Sequence, residues 1–376
     1  MTDRDQPGPC PGFGGSGPDG DGWEDLGDDG QLAWYGRKID LDPGNAALLT
    51  SRGMLLNAMG RIDEAMADFD RALQLDPTDI RALVGSADCY LLKNREDEAL
   101  AVLDQALELD PWDIDAIVAR ASAFTGLEQY DRALAEVSRV IGRHPGDPAA
   151  VTAFMQRATT YRLMDRYGEA LADCDRAVAL RPDRATVWAS RGTINSVMDR
   201  YQEAAADFDM AVRLEPAFAF ALAGLGDTYR YMERYAEALT WYDRALQQGS
   251  ADPRWITGRG LAHQELGNYA EALADYDRAI GMDTGNFWAI GSRGNLYRLL
   301  GRYDDALADH NHALDLDPQE SETIAERGLT YQAMGRRKDA LADFTRAIDL
   351  DPTYGAELAP YLEPGGPGDA AAPDPS

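Results

Sequence analysis

An all-α fold, a solenoid of stacked helical hairpins, is what this sequence predicts, and three observations predict it. The phrase ALADYDRAI at residues 272–280 recurs eight more times, its nine copies starting at Ala65, Ala99, Ala133, Ala170, Ala204, Ala238, Ala272, Ala306 and Ala340. The step between copies is 34 residues throughout, except for one step of 37. A fixed period of this length marks one repeat array in place of separate domains. Within each period, apolar residues fall three and four apart in two successive stretches, the signature of two amphipathic helices. Small residues recur at fixed places in both stretches, which lets helix axes approach to about 8 Å.

Taken in order, residues 1–30 form an acidic tail rich in Gly, Pro and Asp, with too little apolar surface to offset the entropy of ordering, and they are expected to be disordered. Residues 31–45 read as a half-repeat: Trp34, Tyr35, Ile39 and Leu41 share one face and Pro43 ends the helix. Counting Ala46 as position 1, nine full repeats fill residues 46–354, starting at 46, 80, 114, 151, 185, 219, 253, 287 and 321. Position 8 is Gly or Ala, position 20 is Ala in every repeat, and position 27 is Ala except at Val140. The longer step is an insertion at residues 148–150, where Asp147 caps and Pro148 opens a backward extension of the next helix. Residues 355–376 give a short capping stub, Ala356–Leu362, interrupted by Pro360, and then a disordered tail. Ser250 and Thr284 stand where Pro ends other repeats, beside Gly249 and Gly285, and a hinge is expected around the seventh repeat.

These residues carry a resemblance. Gly or Ala at 8, an aromatic at 11 in most repeats, Ala at 20, an aromatic or apolar residue at 24, Ala at 27 and Pro at 32 make the chain resemble the tetratricopeptide-repeat proteins over about residues 31–354. The departures are Asn195 and His263 at position 11, Cys174 and His310 at position 24, and the two missing prolines. The resemblance implies a right-handed superhelical solenoid whose first helices line a concave groove for extended peptides or partner helices.

Comparing the repeats with one another exposes a charge pattern. Position 7 is Arg in seven repeats (Arg52, Arg120, Arg157, Arg191, Arg259, Arg293, Arg327), and position 23 of the same repeats is acidic: Asp68, Glu136, Asp173, Asp207, Asp275, Asp309, Asp343. The two repeats without the Arg, at Ser86 and Leu225, also lack the acid, having Val102 and Trp241. Pairing with position 23 of either neighbouring repeat fails, so a charge-assisted bond within each hairpin is expected. The alternative, a row of arginines reading anions, is disfavoured because each Arg has its own acid.

The net charge of −29 repels phosphate backbones and anionic membrane surfaces, so neither nucleic acid nor membrane is an expected partner. Three widely spaced cysteines, Cys10, Cys89 and Cys174, form no disulfide or zinc framework, and the start of the chain has no secretory-signal pattern; a cytoplasmic protein is expected. No catalytic or metal motif occurs. His310 and His312 lie two apart and face different ways, and His310 is expected to be a core residue satisfied locally. Cys174 is flanked by acids that oppose a thiolate.

The reading is therefore a non-catalytic protein-interaction scaffold without cofactor or metal; the alternative is a regulatory or substrate-recruiting subunit for an enzyme on another chain. The basic clamp that the resemblance would bring is absent, since position 5 holds no base in any repeat. A different ladder stands at position 12 of repeats four to nine: Arg162, Ser196, Arg230, Gln264, Arg298 and Gln332, with Arg254, Trp288 and Asn295 nearby. Small residues at position 5 (Ala189, Ala223, Thr257, Gly291, Ala325) are expected to leave room for an extended peptide, acidic or C-terminal, gripped by those side chains. The competing reading of the ladder is a solvated face.

Overall fold

The computed structural model describes residues 27–249 and 251–363; the expected disordered stretches before residue 27 and after 363, with Cys10 and Ser250, lie outside them. Among the described residues there are twenty α-helices and no strand. They fall into two compact units, divided between Glu215 and Pro216.

The first unit holds α1 (Asp28–Leu41) and then five hairpins: α2 (Ala46–Ala58) with α3 (Ile62–Leu75), α4 (Ile80–Leu92) with α5 (Glu96–Leu109), α6 (Ile114–Gly126) with α7 (Tyr130–Arg143), α8 (Val151–Leu163) with α9 (Tyr167–Leu180), and α10 (Ala185–Val197) with α11 (Tyr201–Leu214). The second holds four hairpins: α12 (Ala219–Tyr231) with α13 (Tyr235–Leu246), α14 (Pro253–Glu265) with α15 (Tyr269–Met282), α16 (Phe287–Leu299) with α17 (Tyr303–Leu316), and α18 (Ser321–Ala333) with α19 (Arg337–Leu350). It closes with α20 (Tyr354–Leu362). Helix α1 starts at Asp28, three residues ahead of the expected half-repeat, because Asp28 and Asp29 favour the positive end of the helix dipole. The insertion forms a 3-10 turn, Pro148–Ala150, with Asp147 accepting from the Ala149 N–H, and runs straight into α8. Helix α20 tolerates Pro360 and buries Leu358 against the last hairpin, where Tyr361 packs 5.5 Å from the Phe344 ring.

Each first helix stops the same way. Position 15 has positive φ in all nine repeats, as Gly60, Gly267, Gly301 and Gly335 but also as Asn94, Glu128, Asp165, Asp199 and Glu233. The next residue's N–H then reaches back to the carbonyl of position 11, as from Arg234 to Tyr229 at 2.8 Å, closing a Schellman turn. A side chain with a Cβ is strained there, so Glu233→Gly should raise stability by about 0.5–1 kcal/mol. The urea midpoint measures it, and an unchanged or lower midpoint refutes it.

The two missing prolines differ in effect. At Thr284, α15 keeps its full length and ends on Asp283 in the same extended conformation as the repeats that have Pro. Ahead of residue 250, α13 stops early at Leu246, and Gly249 turns with φ 85°.

Within a hairpin the core is set by what faces position 8. Six repeats pair Gly there with a ring at position 24: Gly53 with Phe69, Gly192 with Phe208, Gly226 with Tyr242, Gly260 with Tyr276, Gly294 with His310 and Gly328 with Phe344. A methyl on these glycines would stand 2.6–3.1 Å from the ring. The other three repeats carry Ala87, Ala121 and Ala158 at position 8, and they have Leu103, Val137 and Cys174 at position 24, all buried. Volume is thus traded between two helices at one contact.

The position-7 arginines sit on the other side of this contact. Arg157, Arg191 and Arg259 each place Nη2 2.6 Å from Oδ1 of Asp173, Asp207 and Asp275 and donate to the second oxygen through Nε; Arg52, Arg293 and Arg327 grip Asp68, Asp309 and Asp343 in the same bidentate way. Arg120 reaches Glu136 through Nη2 alone, at 2.8 Å. In six of the seven, Nη1 goes further, to position 25 of the preceding hairpin: Asp104, Ser138, Asp175, Asp243, Asp277 and Asn311, at 2.5–3.2 Å. One guanidinium therefore ties three helices. Asn195, which replaces the ring at position 11, adds a bond from Nδ2 to Asp207 at 2.9 Å.

Candidate functional site

Within each unit the first helices of successive hairpins pack on one another: α2 on α4, α4 on α6 and α6 on α8 in the first, α12 on α14 and α14 on α16 in the second. Position 5 lies in these contacts. Ala189, Ala223, Thr257 and Ala325 are at most 4% exposed, and a methyl on Gly291 would meet Thr323 Oγ1 at 3.3 Å. The expectation that small residues here make room for a ligand is corrected: they are buried in the array, as Gly291 of α16 is against Thr323 of α18.

Position 12 stands above this contact, half-buried. Arg162 occupies it on α8 in the first unit. Ser196 of the same ladder lies on α10, also in the first unit; the other candidates belong to the second unit, and several of them engage neighbours of their own. Arg298 holds Glu326 Oε2 at 2.6 Å, from α16 to α18. Arg230 lies 3.7 Å from Asp227, which also accepts at 2.5 Å from the hydroxyl of the fully buried Tyr242, and its guanidinium is 4.2 Å from the Tyr231 ring centre. Arg254 folds back onto its own helix cap, Asp252, at 2.8 Å. Gln264 accepts from Tyr276 Oη at 3.2 Å, and Trp288 is half-buried. The picture of a bare basic row is corrected by Asp227, three residues ahead of Arg230 on the same helix, and by Glu326, which reaches Arg298 from the next first helix.

What this face does present is buried polar atoms with no partner among the described residues. In the first unit these are Asn57 Oδ1, Thr152 Oγ1 and Thr186 Oγ1; in the second, Arg230 Nε, Asn295 Oδ1, Arg298 Nε and Gln332 Oε1. They fall at positions 2, 9 and 12, one stripe of the first helices; a further such atom, Arg120 Nε, lies at position 7 and turns toward its own hairpin. Buried polar groups in folded proteins are nearly always satisfied, so a stripe of exceptions is informative.

Buried chemistry elsewhere is inert. Burial pushes the thiols of Cys89 and Cys174 up to about 12, with acidic neighbours adding to the effect. His310 is fully buried and neither ring nitrogen has a partner, which corrects the expectation of local satisfaction. It fills the slot over Gly294 that holds Phe in other repeats, a slot shaped for a ring. Burial, helped by Arg298 and Arg327, lowers its pKa from 6.5 to about 3.

Because the folded-state value is the lower one, this neutral imidazole favours the fold fully only above about pH 6.5, and the contribution is lost as pH falls toward 3. Between pH 7 and 5 the loss amounts to about 2 kcal/mol. His310→Phe should abolish this share of the acid sensitivity and raise stability at neutral pH; denaturation midpoints compared at pH 7 and 5 decide it.

Family models described as tetratricopeptide repeat match residues 56–111 and 95–158, residues 197–253 and 257–321, and residues 151–184 and 321–354. Together they span 56–354 apart from 185–196 and 254–256. Among solved structures, the chain is similar to the APC/C hetero-tetramer Cut9-Hcn1 at TM-score 0.62 and 14% identity, covering 89% of this chain and 81% of that one. It is also similar to a monomeric mutant of IFIT1 with m7Gppp-AAAA, at TM-score 0.59 and 16% identity, covering 81% and 72%. Among curated proteins, no sequence matches the chain. Among the described residues, no helix is long and apolar enough to cross a membrane.

Proposed function

We propose, from the premise that this chain belongs to the tetratricopeptide-repeat family, that it is a non-catalytic interaction scaffold whose first-helix face holds an extended segment of a partner protein. The observation that carries the reading is the stripe of unpartnered buried atoms at positions 2, 9 and 12. It mixes acceptors (Asn295, Gln332) with donors (Arg230 Nε, Arg298 Nε), the set that would pair with the N–H groups and carbonyls of a peptide backbone once these half-buried side chains turn outward. Acidity of the segment matters less than its backbone, because Glu326 and Asp227 already stand beside the two arginines.

The test is affinity capture from the native cell with mass-spectrometric identification, comparing the wild type with Asn295→Leu/Gln332→Leu. Leaving backbone groups of the partner unpaired at two places should weaken capture at least tenfold. Thermal unfolding should change little, because neither oxygen has a partner to lose. Undiminished capture of the same partner by the double variant overturns the assignment of this face.

A further inference from the structure

The first hairpin combines two departures, and together they open one cleft. In five repeats the position-16 arginine lies over a tyrosine ring at position 11: Arg95, Arg166, Arg234, Arg302 and Arg336 stand 4.2–4.8 Å from the ring centres. In the first repeat position 11 is Leu56, so Arg61, which holds Glu64 just as the five others hold the acid three residues on, has no ring beneath it. The second departure is at Arg52. Its Nε and Nη2 hold Asp68, but the residue at position 25 of the half-repeat is Gly36, which has no side chain to receive Nη1. Arg52 is the most exposed of the seven, at 27%.

The result is a cleft of about 430 Å³ between α1, α2 and α3, lined by Leu32, Ala33, Leu56, Arg52, Arg61 and Asp68. The corresponding cleft of the third repeat, where Phe124 supplies the ring and Asp104 receives Arg120, measures about 250 Å³. What is missing from the first cleft is one aromatic ring and one carboxylate.

The chain ahead of α1 carries that pair. Residues Trp23, Glu24 and Asp25 lie within four positions of Gly27, a span of at most about 14 Å when extended. Leu32 and Ala33 on α1 form one wall of the cleft, about one helical turn into that helix. We propose that the occupant of this cleft is the chain's own Trp23–Asp25 segment, the indole filling the place of the absent position-11 ring under Arg61 and a carboxylate of Glu24 or Asp25 receiving Arg52 Nη1. The contact repeats what the eighth repeat shows, Tyr297 under Arg302 and Asp277 beside Arg293, with the parts supplied from ahead of the array.

The test uses the full chain with benzoyl-phenylalanine in place of Trp23. Irradiation should give crosslinks within one chain to the peptides containing Ala33 and Leu56. Glu24→Gln/Asp25→Asn, two changes outside the hairpins, should cut the yield at least fivefold. Leu56→Tyr, which restores the ring and closes the cleft, should do the same while circular dichroism stays unchanged. Dimer-sized products would assign the cleft to a second copy, and crosslinks to another hairpin, or yields that neither variant lowers, would equally overturn the proposal.

Discussion

Arg259→Leu is expected to cost the fold about 3–5 kcal/mol, the range for removing one partner of a buried ion pair. The loss has two parts. Asp275, 5% exposed, keeps a desolvated charge without the two bonds at 2.6 and 2.9 Å that Arg259 supplies. Asp243 of the preceding hairpin loses a bond at 2.7 Å, but it is half-exposed and regains water, so this part is small. The double variant Arg259→Leu/Asp275→Leu should recover most of the loss, because no buried charge remains. A cycle by chemical denaturation with coupling near zero would falsify the pairing as a source of stability. The cost should shrink at Arg191, where Asn195 leaves Asp207 one remaining donor.

Gly328→Ala should destabilise by about 2–3 kcal/mol, more than a helical glycine-to-alanine change ever gains. The new methyl would stand 2.6 Å from Phe344 Cε1, and Phe344 is fully buried with no direction in which to retreat. Adding Phe344→Leu should restore stability to within about 1 kcal/mol, since Ala87 and Leu103 already make that pair in the second repeat. Melting temperatures of the two variants check this, and a double variant less stable than the single one contradicts it.

Both features were legible in the sequence, though not equally. The 34-residue period gave every helix hairpin, since small residues at fixed positions leave little choice of packing. The Arg–acid partners at positions 7 and 23 emerged because they vary together between repeats. The second partner, at position 25 of the preceding repeat, was not legible in that way, because position 25 is polar in every repeat and does not vary with position 7. The ladder at position 12 was readable as a stripe but not as a set of occupied groups. Glu326 approaches it only after the hairpins stack, whereas Asp227, three residues from Arg230 on one helix, was within reach of the spacing; stacking also buries the small residues that looked like a ligand's floor.

The exchange between positions 8 and 24 also constrains how such an array can diverge after its repeats are copied. Ala with a ring clashes, whereas Gly with Leu leaves a modest void and a slightly weaker helix, at about 1 kcal/mol each. A copy drifting from the Ala87–Leu103 state toward the Gly328–Phe344 state must therefore lose its methyl before it acquires its ring, and the return journey must shed the ring first. The same intermediate serves both directions, so the order of substitutions in each lineage of repeats is fixed by a distance inside a single hairpin.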